Sequence, residues 1–276
     1  MKIGISLPVR EMKNDLGAIR EFAQSAEELG YTHLRVPDQI IRKDSGHLHE
    51  PMMMLSYIAA ITKTIELVPS VIILPSRQTA LFAKQAAQLD LFSGGRIRIG
   101  IGVGGNKDEY TALGKSFENR GARCDEQIKI LRQLWIEPHI DFVGEFENIT
   151  SSGIDPLPIQ QPIPIWIGGR AQPVNSVVKR IGELSDGWFV LCPPEEFVKL
   201  KSRIDSYASA AGRDPNSIGT EAGVAVVGPR ESEWQDRVSS WNEIGLTHLC
   251  LRTLGGNLTS SQHLEKIQEV SNQIPI

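Results

Sequence analysis

Residues 93–110 read SGGRIRIGIGVGGNKDEY, and the reading of this stretch decides the fold. Within it, GIGVGG at 100–105 spells G-x-G-x-x-G, the fingerprint of a dinucleotide-binding βαβ unit. That fingerprint has meaning only where a strand runs straight into a helix. Here the glycines are followed by Asn106-Lys107-Asp108-Glu109-Tyr110, and no apolar helical pattern begins until about Arg120. The acidic ribose contact, about twenty residues further on, would fall near Arg123-Cys124-Asp125, inside that helix rather than at a strand end. The context excludes a dinucleotide site, so the glycines need another explanation.

Outward from this stretch, apolar β-rich runs alternate with amphipathic helical runs. Strands are expected at residues 2–7, 33–36, 65–74, 97–103, 163–167, 187–191, 222–227 and 248–251. The helices between and after them are expected at 16–29, 52–62, 79–91, 120–135, 174–184, 195–211, 232–244 and 260–273, with a small hairpin insertion at 142–149 turning at Gly144-Glu145. About eight βα units imply a parallel sheet closed as a single (β/α)8 TIM barrel over residues 1–276, with an open doubly wound sheet as the other arrangement. In such a barrel, reactive groups gather at the C-terminal ends of the strands.

With 276 residues, 41% of them hydrophobic, the chain can bury one large core. A formal charge of −4 offers no electrostatic case for nucleic acid. Three scattered cysteines, Cys124, Cys192 and Cys250, form no C-x-x-C, which argues against a disulfide framework or a zinc site. The opening MKIGISLPV is too short and too soon polar for a signal peptide, and no apolar run reaches membrane-spanning length. The expectation is a soluble, cytoplasmic protein.

Three strand ends could carry chemistry. Gly168-Gly169-Arg170 follows the strand PIPIWI and leads into a helix, so backbone amides, a helix N-terminus and a guanidinium could together hold a phosphate. A plain βα turn explains the same residues, and Leu254-Gly255-Gly256 is a rival phosphate cup. Gly102, Val103, Gly104, Gly105 and Asn106 form a strand end stripped of side chains, against which a flat ligand could lie; a tight corner at the rim is the competing reading. Asp38, in VPDQI, could bond to a ligand or hold its own loop as an Asx-turn, while Arg35 falls on the opposite face and reads as structural. The pair His47 and His49 lies in a polar loop without a third ligand, and His33, His139, His248 and His263 are isolated, so no metal site is expected.

The block PSVIILPSRQTALFAKQAAQLDLFSGGRIRIGIGVGGNKDEYTALGKSFENRGARCDEQIKILRQLW resembles the bacterial-luciferase-like superfamily, most strongly its compact branch that uses the deazaflavin coenzyme F-420. The resemblance continues through GISLP, GYTHLRVPDQ and PIPIWIGGRAQPVNSVVKRIGELSDGW, and is weaker after about residue 192. It implies a luciferase-like barrel binding a flavin-type ring at its mouth, with coenzyme F-420 as cofactor and FMN as the alternative. By position, Asp38 and Gln39 would be catalytic and Asp38 would neighbour the ring. Val71, Ile72 and Ile73 would carry a non-proline cis peptide behind it. Gly102, Val103, Gly104 and Asn106 would flank the ring, and Gly168, Gly169, Arg170 and Ala171 would receive the phosphate. A homodimer and a separate reductase are the partners such a family implies.

Two departures bear on chemistry. Many relatives have histidines where this chain has Gln39 and Gln78, and the deazaflavin sugar-phosphate dehydrogenases have a glutamate where Val103 stands. Glutamine cannot transfer a proton near neutral pH. The expectation is therefore hydride transfer between coenzyme F-420 and a small organic substrate, or else oxygen activation by reduced FMN. A cofactor-binding protein without turnover, and a metal-free sugar-phosphate lyase or isomerase using Asp38 as base, are the readings from other classes.

Overall fold

The computed structural model describes residues 1–41, 46 and 48–274, and among these it holds eleven strands and ten α-helices. The strands are β1 (Lys2–Ser6), β2 (His33–Val36), β3 (Glu66–Pro69), β4 (Ile72–Ile73), β5 (Ile99–Gly102), β6 (Ile140–Val143), β7 (Asn148–Ser152), β8 (Ile165–Gly168), β9 (Gly187–Phe189), β10 (Gly219–Ala225) and β11 (His248–Arg252). The helices are α1 (Val9–Met12), α2 (Leu16–Glu28), α3 (Pro51–Ile61), α4 (Thr79–Ser93), α5 (Lys107–Ala112), α6 (Arg120–Leu134), α7 (Asn175–Leu184), α8 (Pro194–Ala210), α9 (Trp234–Glu243) and α10 (Ser260–Ser271).

Nine strands pair in the order β3-β2-β1-β11-β10-β9-β8-β5-β4, every pair parallel. β3 and β4 are two pieces of the one strand expected at 65–74, interrupted at Ser70-Val71, whose peptide is cis. Leu67 of β3 bridges Ile97 ahead of β5, donating its amide to the Arg96 carbonyl (2.7 Å) and accepting from the Arg98 amide (3.1 Å). The ring therefore closes as the (β/α)8 barrel expected, and the open sheet is set aside.

Local chemistry sets the helix ends. The Asp15 carboxylate accepts from the Ala18 amide (2.9 Å) at the start of α2, Glu50 caps α3 ahead of Pro51, and Thr259 and Gln262 form a reciprocal capping box on α10. Gly94 ends α4 in the left-handed region. Strand residues such as Ile5, Leu34, Ile101 and Leu249 are buried against helix residues such as Ile19, Phe22, Ile58 and Ile267 in one apolar cluster. Each such side chain stabilises by about 1.5–3 kcal/mol when withdrawn from water.

Two short helices were not read from periodicity, and α5 matters. Asn106 caps it, its side chain accepting from the Asp108 amide (3.1 Å), and buried Glu109 accepts from the Ile40 amide (2.6 Å). The glycine stretch does lead into a helix after all. What excludes a dinucleotide fold is the closed ring, in which β5 lies between β8 and β4. The hairpin insertion is β6–β7, slightly wider than expected, with the amides of Glu145, Phe146 and Glu147 bonded to the Glu126 carboxylate (2.7–3.0 Å).

Candidate active site

The glycines of β5 and β8 are set by the interrupted strand. A Cβ on Gly102 would lie 2.7 Å from Val71 Cγ2, and one on Gly168 would lie 2.7 Å from Val71 Cγ1. A side chain at Gly104, whose φ is +64°, would meet Ile73 Cγ2 at 2.7 Å. These positions are bare first of all because Val71 and Ile73 wedge into them, a requirement within the protein that the sequence reading did not foresee. Gly105 and Gly169 are the open ones, their nearest neighbours being the Arg170 guanidinium (3.6 Å) and Val177 (3.5 Å).

Asp38 holds that wedge in place. Its side chain is fully buried, accepting from the Ile73 amide (3.0 Å) and, through both oxygens, from Arg77 (3.0 Å each). Arg77 also pairs with Glu50 (3.0 Å). The carboxylate thus reaches across the chain rather than forming an Asx-turn, and its acceptors are engaged. Asp38 and half-buried Gln39 line neither of the two main cavities. Ile72 and Ile73 are buried in β4, Val103 is half-buried, and Gln78 is exposed at the start of α4. Asn106 is occupied as the cap of α5 and by a long contact to the Ile41 carbonyl (3.3 Å).

One cavity of about 420 Å³ is lined by both the glycine-rich end of β5 and the turn after β8, together with Val71, Val103, Arg120 and Arg180. Its size falls in the usual range of small-molecule sites. Among the described residues nothing accepts from the amides of Gly169, Arg170 or Ala171, and Arg170 has no partner. The α7 N-terminus begins at Val174 without a side-chain cap, and Val174 and Val177 line the cavity, so first-turn amides and the positive end of the helix dipole meet it. Ala171 lies just outside, on a neighbouring groove. The rival cup is already filled: the amides of Gly255 (3.0 Å) and Asn257 (3.2 Å) donate to the carboxylate of Glu11, which also meets buried His263 (2.8 Å).

The ionisable groups lining this cavity are Arg120, Arg170, Arg180 and Cys124. Arg180 is paired with Asp125. Arg120 lies over the Phe117 ring (3.8 Å) and keeps a buried Nε without an acceptor. Burial pushes the Cys124 thiol up to about 12. The cavity thus offers positive charge and no group that exchanges a proton near neutrality. Arg120 and Arg180 escaped sequence reading because they project from helices rather than strand ends.

A second cavity, about 610 Å³, reaches from Arg35 and Glu221 past Phe189 to α9 and the end of β11. Val71, which lines the first cavity, packs against the cluster of Val68, Trp166 and Phe189, so the two share a wall. Glu221 is a buried carboxylate bonded to Arg35 (3.0 Å) and Arg98 (2.8 Å) and close to His33 (3.4 Å), contacts that cross the interior of the ring. Burial alone would raise it; the charges of His33, Arg35 and Arg98 outweigh that and hold it well below the usual carboxylate range. His33, Glu221 and Cys250 place their heteroatoms within 4.8 Å of one another, yet two guanidiniums already neutralise the carboxylate, which disfavours a cation there. The histidines read as isolated include two that meet: His33 and His248, with ring centres 5.7 Å apart. His47 lies outside the described residues; His49 donates to the Lys13 carbonyl (2.8 Å).

A closed parallel ring with an interrupted third strand and an anion-ready turn after β8 defines a luciferase-like barrel. The sequence pattern of the luciferase-like monooxygenase family matches residues 1–267, and the chain belongs to that family. Among curated relatives, the F420-dependent glucose-6-phosphate dehydrogenase of Amycolatopsis mediterranei is 31% identical over 174 residues, a match that spans 61% of this chain and 51% of that enzyme. Among solved structures, the monooxygenase RslO1 from Streptomyces bottropensis superposes with a TM-score of 0.83 at 21% identity, covering 99% of this chain and 98% of that one. An F420-dependent secondary alcohol dehydrogenase in complex with an F420-acetone adduct superposes at 0.81 and 17% identity, covering 98% and 97%. Among the described residues no helix is long and apolar enough to cross a membrane.

Proposed function

We propose that the chain is an oxidoreductase that binds coenzyme F-420 in the 420 Å³ cavity and transfers hydride between it and a small organic substrate. The observation that carries this reading is the joining of two features on one cavity. The end of β5 presents backbone in place of side chains at Gly105, and the turn after β8 presents the amides of Gly169 and Arg170 without acceptors beside an unpaired Arg170 guanidinium. That donor set fits the phosphate of a flavin or deazaflavin chain. The Arg170 guanidinium and the amides of Gly169 and Arg170 would hold the phosphate, with Ala171 at its edge and Gly105 and the Val71 wedge bounding the ring.

When bound, the deazaflavin supplies a two-electron hydride chemistry that the protein's own side chains lack. The residues do the rest. Asp38 and Arg77 fix the wedge, Val71 and Val103 exclude water from one side, and the arginines neutralise the anionic tail. With no neutral-pH acid or base on the cavity, a substrate would exchange its proton with solvent, which suits an activated acceptor better than an alcohol needing a base. A cytoplasmic homodimer is the assembly we infer with it.

A second reading is favoured by the RslO1 superposition: reduced FMN supplied by a separate reductase, with oxygen as co-substrate. Titration of the purified protein with each cofactor, followed by fluorescence and heat, separates the two. Tighter binding of coenzyme F-420, weakened in Arg170→Gln, supports the first; tighter FMN binding with oxygen uptake overturns it in favour of the second.

A further inference from the structure

The larger cavity holds a cationic site that the cofactor reading leaves unused. Its charged lining comprises Arg35, Arg230, Arg237 and Arg252 against Glu195 and Glu221. Most of these are already matched. Glu221 is engaged by Arg35 and Arg98, and Arg230 is held by Glu233 (2.8 Å). Among the described residues, neither Arg237 nor Arg252 makes an ion pair or a hydrogen bond; the one carboxylate whose charge reaches Arg237 is that of Glu233, which Arg230 already holds.

Their placement follows from the strand register. Arg252 ends β11 opposite Ser6 and Ala225, and Arg35 lies opposite Ser6 on the other side, so the two arginines sit at one level of the barrel. Gly223 leaves the space: Arg252 Nε is 3.6 Å from where a Cβ on that residue would be. Arg237 projects from α9 into the same cavity, where burial and then the charges of Arg230 and Arg252, only partly offset by Glu233, press it below the usual guanidinium range. With Glu233 shared with Arg230, the two guanidiniums, Arg237 half-buried and Arg252 exposed at the mouth, keep free donors, and those forked donors match the oxygens of a carboxylate or phosphate.

We propose that Arg237 and Arg252 bind the oxyanion of the substrate, so that the enzyme acts on a small acid, carboxylate or phosphate, whose reacting end lies toward Phe189 and the shared wall with Val71. This deepens the proposed function and rests on it only for the identity of the cofactor next door. Trp241 lines the cavity and reports on its occupancy. The wall of small and aromatic side chains toward Phe189 would take the uncharged part of such a substrate.

The test uses the Arg170→Gln protein, so that the cofactor cradle does not contribute, and titrates inorganic phosphate and malonate separately against tryptophan fluorescence. Saturable binding that weakens at least tenfold on adding Arg252→Gln or Arg237→Gln, and is largely kept by Arg252→Lys, supports the site. Preference for phosphate assigns a phosphorylated substrate, and preference for malonate a carboxylic acid. Binding of neither probe, or binding unchanged when both arginines are replaced, overturns the proposal. If the glutamine variants do not fold, phenylglyoxal labelling of the unsubstituted protein gives the same decision: phosphate or malonate must slow modification of Arg237 and Arg252, and equal labelling rates refute the site. Coenzyme F-420 is titrated in parallel. A wild-type protein that ignores the cofactor but shows the arginine-dependent anion site contradicts the cofactor reading alone.

Discussion

Replacing Asp38 by alanine distinguishes a positioning carboxylate from a chemical one. The substitution removes three hydrogen bonds, to the Ile73 amide and twice to Arg77, from a fully buried side chain. Deleting one partner of a buried ion pair costs about 3–5 kcal/mol. Arg77 keeps Glu50, which places the ion-pair loss at the lower end, and the orphaned Ile73 amide adds about 1–2 kcal/mol. The expected destabilisation is therefore about 4–5 kcal/mol, or roughly 8–10 °C in Tm at about 2 °C per kcal/mol for a chain of this size. Freed from Ile73, the wedge against Gly102, Gly104 and Gly168 should loosen, and cofactor affinity should fall with stability. Calorimetric melts and cofactor titration of Asp38→Ala and Asp38→Asn test this, with the asparagine variant intermediate in both. An unaltered Tm with abolished turnover would refute the reasoning and return Asp38 to the chemistry.

The wedge makes a second forecast: Gly102→Ala forces a Cβ to within 2.7 Å of Val71 and should destabilise by about 1–3 kcal/mol through overpacking, read by urea unfolding. Glu11→Ala frees the Gly255 and Asn257 amides and should cost about 1–3 kcal/mol; no loss of stability would show that the loop after β11 does not depend on it. Burial, then the charges of Arg98 and His33, push His248 from 6.5 down to about 3. The unfolded chain therefore binds the extra proton between those values, and stability falls as pH drops from about 6.5 toward 3. Discounted for partial exposure, the slope from this group is about 1 kcal/mol per pH unit, and His248→Gln should remove it; equal slopes in both proteins would contradict the assignment.

The barrel was legible because parallel strands buried on both faces and amphipathic helices carry different periods, and the repeat of about eight units leaves few architectures. The break at Ser70-Val71 was not legible from periodicity, since Val-Ile-Ile-Leu reads as continuous strand; the resemblance to a known family supplied it. The short helix α5 escaped because Lys107, Asp108 and Glu109 show no apolar stripe, although buried Tyr110 and capping Asn106 were signals. The glycine cup at 254–256 looked equal to the turn at 168–170 until the fold brought Glu11 to it across 244 residues. Separations of 186 and 123 residues likewise hid the bonds of Glu221 to Arg35 and Arg98. Long-range charge pairing leaves no local pattern, so sequence reading found the strand ends and missed what crosses between them.

The central claim is that the turn after β8 grips the cofactor's phosphate. Removing the Arg170 guanidinium takes away charge-assisted hydrogen bonds of about 1.5–3 kcal/mol, roughly a 10- to 150-fold loss of affinity. Calorimetric titration of coenzyme F-420 into the wild type and Arg170→Gln measures this directly. The account predicts that loss, with unchanged thermal stability because Arg170 is exposed and unpaired. Equal affinity in the two proteins would contradict it.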